Sequence, residues 1–269
     1  MGQRYLSRMR QVQFPATEAD EALLTPVGAA GASSVRIFLN RLIFRVALFF
    51  CGFIAIVLHA VNRKWAWWWA ASSARGLGVA TGVRVKVRGL ENLPEGPAVI
   101  TPNHASHYDI AALLGYLPGR NRFAAKKELF REPILGMTMK TLGMIPIDRE
   151  DPAKSIDRLN RLQGDQEAFS LIMFPEGTRS SGDSLQPFKK GAFALAAQLQ
   201  RPIVPVAIHG TAGVMPAGQY LSILPGTVVI EVLPPISTEG LGYQDRDRLC
   251  GQARAEIVAR LSRARDAAG

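Results

Sequence analysis

No aspartate or glutamate occurs between Glu21 and Glu91, although the chain of 269 residues holds 22 acidic side chains. Over the same stretch Arg36, Arg41, Arg45, Arg63, Lys64, Arg75, Arg84, Lys86 and Arg88 carry nine of the ten net positive charges. The rest of the chain is nearly balanced, so the basicity is a local feature and not the signature of a nucleic-acid-binding protein. Cysteine is equally scarce. Cys51 lies in an apolar run and Cys250 near the C-terminus, a pair that offers neither a disulfide framework nor metal-ligand spacing and suits a reducing compartment. No G-x-S-x-G elbow is present, so the sequence supplies no serine nucleophile of the hydrolase type.

Inside the acid-free stretch lies the apolar run "VALFFCGFIAIVLHAV", residues 46–61, with "RLIFR" before it and "NRKWAWWW" after it. About 20 apolar residues are needed to span a bilayer. This run can therefore cross only if its basic collars snorkel to the headgroups; lying half-embedded is the other arrangement. Trp65, Trp67, Trp68 and Trp69 are the only tryptophans, and indoles grouped beside an apolar segment belong at a membrane interface. Residues 34–80 are thus expected to form a helical membrane anchor, a transmembrane helix in its spanning form, attracted to anionic lipid by its basic residues. The run begins too far from the N-terminus for a signal peptide, and residues 1–33 read as a flexible leader. The charge flanks mildly favour a cytoplasmic C-terminal domain.

From residue 83 short apolar runs alternate with amphipathic stretches, the pattern of an α/β domain. "VRVKVRG" alternates apolar and basic residues, as a strand with one buried face does. Further strands are expected over 98–101, 122–125, 144–147, 169–174, 203–208 and 227–233. Helices are expected over 109–117, 128–141, 152–167 and 190–199. The tail from 244 to 266 repeats Leu249, Ala253, Ile257 and Leu261 at four-residue spacing, a one-sided helix that packs on the domain.

Chemistry-bearing residues cluster in the loops that follow strands, where α/β sheets bind ligands. "TPNHASHYD" holds half of the four histidines, with Asp109 at a helix start five residues after His104. A carboxylate so placed can fix an imidazole tautomer and leave the other ring nitrogen as a general base. The loop alone also admits a metal site built from His104, His107, Asp109 and His209, or a capped helix start with no chemistry. "GMIPIDR" ends in Arg149, and "FPEGTRS" presents Glu176, Gly177, Thr178 and Arg179. Guanidinium groups suit phosphate, and a glycine beside a hydroxyl permits close approach to the same anion. Lys126 follows another strand, and Lys190 precedes a helix.

Taken together these loops resemble the glycerolipid acyltransferase family, specifically bacterial 1-acyl-sn-glycerol-3-phosphate (lysophosphatidic acid) acyltransferases. The matching blocks are N-H-x-x-x-x-D at Asn103, His104 and Asp109, then "GMIPIDR", "FPEGTRS" and the proline-containing strand "IVPVAI" with Pro205, all in family order. The resemblance implies a single α/β acyltransferase domain over residues 81–240, with a mixed central sheet flanked by helices, and an amphipathic C-terminal helix within 241–269. It implies catalysis by His104 as base and Asp109 as its partner. Asn103, Arg149, Glu176, Gly177, Thr178 and Arg179 would bind the acceptor, with Lys126 and Lys190 as further contacts. Acceptor and donor would be lysophosphatidic acid and acyl-CoA or acyl-carrier protein, with no resident metal or cofactor. The setting would be the cytoplasmic face of the inner membrane.

Overall fold

The computed structural model describes residues 34–147, 169–179, 185–216 and 223–266. Helix α1 (Ser34–Val61) is followed at once by α2 (Arg63–Thr81). Asn62 separates them: its extended backbone breaks the first helix, and its side chain caps the second by accepting from the Lys64 N–H at 2.9 Å, a favoured role for asparagine. Trp69 adds a tie by donating from its indole to the Cys51 carbonyl at 3.2 Å.

Among the described residues no helix is long and apolar enough to cross a membrane, which corrects the expectation of a transmembrane helix. The reason lies in the length of the uncharged run. Residues 46–61 rise only about 24 Å at 1.5 Å per residue, short of a hydrocarbon core of about 30 Å.

The domain is built on a seven-stranded sheet in the order β1-β7-β6-β2-β5-β3-β4. Its strands are β1 (Val83–Arg88), β2 (Val99–Pro102), β3 (Asn121–Lys126), β4 (Ile145–Ile147), β5 (Ser170–Ile172), β6 (Ile203–His209) and β7 (Gly226–Val232). All neighbours pair in parallel except β6 with β7, so the sheet is mixed, as expected. Central strands β2 and β6 are buried along almost their whole length, which explains their continuous apolar sequence. Pro205 is tolerated inside β6 because the antiparallel ladder to β7 begins only at Val206; the Pro205 carbonyl accepts from Leu233 N–H beyond the end of β7.

Helices cover both faces. On one, α2 and α3 (Tyr108–Tyr116) pack over Ile100, Val204 and Val206. On the other, α5 (Gly191–Gln198) and α7 (Arg246–Asp266) bury Phe193, Ala197, Leu249 and Ala253 against Val99 and Ile203. The helix expected over 128–141 is split into a 3-10 turn at Lys127–Arg131 and α4 (Pro133–Thr141). Pro133 is the cause: it holds Glu132 extended and starts a new helix at a position that needs no N–H donor. A short α6 (Thr211–Val214) follows β6. The helix expected over 152–167 lies outside the described residues.

Candidate active site

Strands β6, β2, β5, β3 and β4 run parallel, so their C-terminal ends share one edge of the sheet. The loop after β2 is fixed there by Asn103. Its buried amide donates to the Ile208 carbonyl at 3.0 Å and accepts the Ile208 N–H at 2.7 Å. Both polar atoms are engaged with β6. Asn103 thereby fastens the loop to the sheet.

Six residues on, Asp109 sits fully buried in the first turn of α3. Its Oδ2 accepts three hydrogen bonds, from the His104 Nδ1–H at 2.8 Å and from the Ala105 and Ser106 N–H groups at 2.9 Å each. Backbone donors and a helix N-terminus both complement the negative charge of this carboxylate. That anion in turn selects the neutral tautomer of His104 that carries its proton on Nδ1, which leaves Nε2 with a lone pair. Ser106 braces the turn, donating from its hydroxyl to the Met215 carbonyl and accepting from Tyr108 N–H. Tyr108 is itself buried, which raises its hydroxyl pKa, and it points at α2. A Cβ on Gly78 would lie 2.7 Å from the Tyr108 oxygen, so the close contact of α2 with this turn requires glycine.

The loop after β5 approaches from the other side. Gly177 makes its turn at φ 70°, a conformation that suits glycine, with its N–H donating to Phe174 O. Phe174 stacks on the His104 ring, the centroids 4.0 Å apart and the planes inclined by 23°. Glu176, only 3% exposed, accepts from His104 N–H at 2.6 Å with one carboxylate oxygen and from Gln186 N–H at 2.9 Å with the other. Burial raises the Glu176 pKa against the lowering effect of these two bonds. Both Glu176 oxygens are thus engaged with backbone donors. Phe174 carries no polar signal and was missed, although it stands at the head of the "FPEGTRS" block.

Thr178 is exposed and Arg179 partly buried at the end of this loop. Burial, then the charges of Arg179 and His104, lower the His107 pKa against the opposing pull of Asp109. Arg179, in the loop after β5, lies at the same sheet edge as the histidine loop. Lys126 ends β3, two strands from β2, about 10 Å away at the usual strand spacing. Lys190 is not gathered into the site: its ammonium pairs with Asp247 of α7 at 2.7 Å on the surface. Arg149 lies outside the described residues. Among the described residues no three His, Cys, Asp or Glu side chains form a group able to hold a metal ion, so the arrangement of His104, His107, Asp109 and His209 required by the metal reading is not formed.

The family described as Acyltransferase matches residues 84–209. The chain is 34% identical over 208 residues to the chloroplastic 1-acyl-sn-glycerol-3-phosphate acyltransferase BAT2 of Brassica napus, covering 76% of this chain and 56% of that protein. It is 33% identical over 234 residues to the 1-acyl-sn-glycerol-3-phosphate acyltransferase of Saccharomyces cerevisiae, covering 83% and 77%. The chain spans little more than half the length of the chloroplastic relatives it matches. The crystal structure of the 1-acyl-sn-glycerophosphate acyltransferase PlsC from Thermotoga maritima superposes with a TM-score of 0.70 at 24% identity, over 85% of this chain and 95% of that one; that likeness speaks for the fold. With a relative of this identity spanned over most of its length, the chain belongs to the acyltransferase family.

Proposed function

We propose that the protein transfers a fatty acyl group from acyl-CoA or acyl-carrier protein to the 2-hydroxyl of 1-acyl-sn-glycerol 3-phosphate, forming phosphatidic acid for phospholipid biosynthesis. The observation that carries this reading is the 2.8 Å contact between His104 Nδ1 and the buried Asp109 carboxylate, in a chain whose relatives bear the names given above. In the proposed reaction His104 Nε2 removes the hydroxyl proton as the substrate oxygen attacks the thioester carbon. Asp109 stabilises the imidazolium that results. The tetrahedral intermediate then collapses, the C–S bond breaks, and the thiolate leaves with the proton from His104. No acyl-enzyme forms. Arg149, Gly177, Thr178 and Arg179 are assigned to the acceptor site, Arg179 to its phosphate, with Lys126 as a further contact.

The helical pair α1–α2 gives the site a membrane address. Phe38, Phe49, Phe50, Phe53 and Val57 of α1 are exposed, as are Trp65 and Trp68 of α2. A helix that is apolar on its outer face and free of acidic residues fits the boundary between headgroups and acyl chains. The proposed setting is the cytoplasmic side of the inner membrane, with the apolar face seated in anionic lipid. An acceptor that partitions into the bilayer would then reach the sheet edge without being extracted.

The test is acyl transfer from acyl-CoA and from acyl-carrier protein to lysophosphatidic acid, glycerol 3-phosphate and a lyso-ornithine lipid, with wild type and His104→Ala. General-base loss is worth about 10²- to 10⁴-fold in rate. Full activity of His104→Ala would reject the mechanism, and preference for one of the other acceptors would replace the substrate.

A further inference from the structure

We infer that the loop after β5 acts on the reaction chiefly by positioning the base, through Phe174 and Glu176, and that neither side chain binds the acceptor. This deepens the proposed acyl transfer and rests on His104 being its base.

A general base must be held in both place and ring orientation, and a misplacement of about 1 Å can cost on the order of 10²-fold. The Asp109 bond fixes the direction of one ring nitrogen, and the main chain on either side of His104 is held by Asn103 and by the Ala105 N–H bond to Asp109. The β5 loop adds two restraints on His104 itself, one on its ring face and one on its own N–H. Phe174 lies flat against the imidazole face at 4.0 Å, and is itself stacked on the buried Phe123 at 6.5 Å. Phe123 belongs to β3, so the orientation of the His104 ring is referred back to the sheet. Glu176 fixes the backbone: one oxygen takes the His104 N–H and the other the Gln186 N–H. Lys189 N–H donates to the Pro175 carbonyl at 2.8 Å, which ties the same loop to the segment leading into α5.

The competing role for Glu176, a ligand for an acceptor hydroxyl, would need a carboxylate oxygen directed at open space. Both oxygens instead accept main-chain donors, and the residue is 3% exposed. A chain that needed only phosphate recognition here would be served by Thr178 and Arg179. An aromatic ring and a carboxylate two residues apart have a direct use when one packs on the base and the other holds its amide.

The experiment compares Phe174→Leu, Phe174→Tyr, Glu176→Gln and Glu176→Ala in the full chain, assayed on mixed micelles of lysophosphatidate with acyl-CoA, with His104→Ala alongside. Positioning predicts that Phe174→Leu and Glu176→Ala lower kcat by about 10- to 10²-fold with the acceptor KM changed less than about twofold. Phe174→Tyr, which keeps the aromatic face, and Glu176→Gln, which keeps one acceptor, recover a large part of the loss. The downfield Nδ1–H proton resonance of His104 should broaden in Phe174→Leu while the melting temperature shows the variant still folded. A rise in acceptor KM at unchanged kcat in the Glu176 variants would overturn the inference and leave the base assignment standing. Should Phe174→Leu not fold, the Glu176→Ala kinetics and the His104 resonance measured in Glu176→Ala decide alone. Full activity of His104→Ala, by contrast, would remove the reading on which the inference rests.

Discussion

The turn around His104 and the helical pair α1–α2 are held in opposite ways. In the turn, Asn103, His104, Ser106, Asp109 and Glu176 are all tied by named hydrogen bonds to backbone or to each other. In the helical pair an indole-to-carbonyl bond joins the two helices, and large apolar side chains remain exposed. One region is held by its own polar bonds; the other presents an apolar face that anionic lipid would cover in the proposed setting. Under that proposal the turn draws its precision from polar restraint, whereas the helical pair would draw part of its stability from its surroundings.

The sharpest way to break the first region is Asp109→Asn. The amide can still accept one bond, but it offers no anion to select the Nδ1–H tautomer or to stabilise the imidazolium. Activity should fall by about 10²- to 10⁴-fold, measured as initial rate at saturating acceptor. For the second region the largest effect is on membrane attachment. Replacing Phe49 and Phe53 together by aspartate should cut sedimentation with anionic vesicles by at least about tenfold for each ring lost, since each buried phenyl is worth about 1.5–3 kcal/mol. Both rings are exposed, so the melting temperature of the domain should not fall. A fall would mean that these rings pack inside the protein.

The two regions meet at Gly78, where α2 admits the Tyr108 hydroxyl next to the start of α3. Gly78→Val should therefore damage both. Overpacking of this kind costs about 1–3 kcal/mol in stability, read by denaturant unfolding, and the displaced turn should lower kcat as well. Unchanged kcat in a destabilised variant would separate the helical pair from the chemistry.

The difference between the regions also governs how much could be read from the sequence. The proximity of His104 to Asp109 was legible from their spacing in a strand-to-helix loop, although the loop alone left base, metal ligand and capped helix start open and only the family resemblance singled out His104; β2 and β6 were legible because central parallel strands are apolar throughout. Phe174 was not, since an aromatic at the end of an apolar strand is indistinguishable from core until its ring is seen on the imidazole. Asn103 and Glu176 were assigned to the site from the family resemblance, but their bonds to main chain could not be read from the sequence. Residue type reveals that a group can bond, not whether backbone will take its capacity first. In the anchor, the apolar run and the tryptophans were plain, while the second helix hung on Asn62 as a cap. The break before α4 could have been read directly from Pro133.

A smaller effect follows from the buried Glu176 carboxylate. Its pKa in the folded protein is raised by burial, so the folded state holds its proton more tightly than the unfolded chain. The associated stability is fully present below the ordinary carboxylate range, about pH 4.3, and is lost as pH rises through the raised value. Wild type should thus lose stability relative to Glu176→Gln over that interval, as followed by melting temperature. Parallel pH dependence of the two proteins would show that Glu176 is not the group responsible.

The smallest expected effect is at Lys190. Its partner Asp247 and its own side chain are both more than half exposed, at 56% and 54%, and solvent and salt screen such a pair. Lys190→Ala should leave the melting temperature unchanged. It should also leave the acceptor KM unchanged, because the ammonium is directed to α7 and not to the turn that carries His104. A selective rise in KM for acyl-CoA or acyl-carrier protein, at constant acceptor KM, would instead enlarge the catalytic edge toward α5 and assign the lysine to the donor. The comparison of regions would then need a third member, a charged rim that neither holds the base nor seats the membrane but receives the acyl carrier.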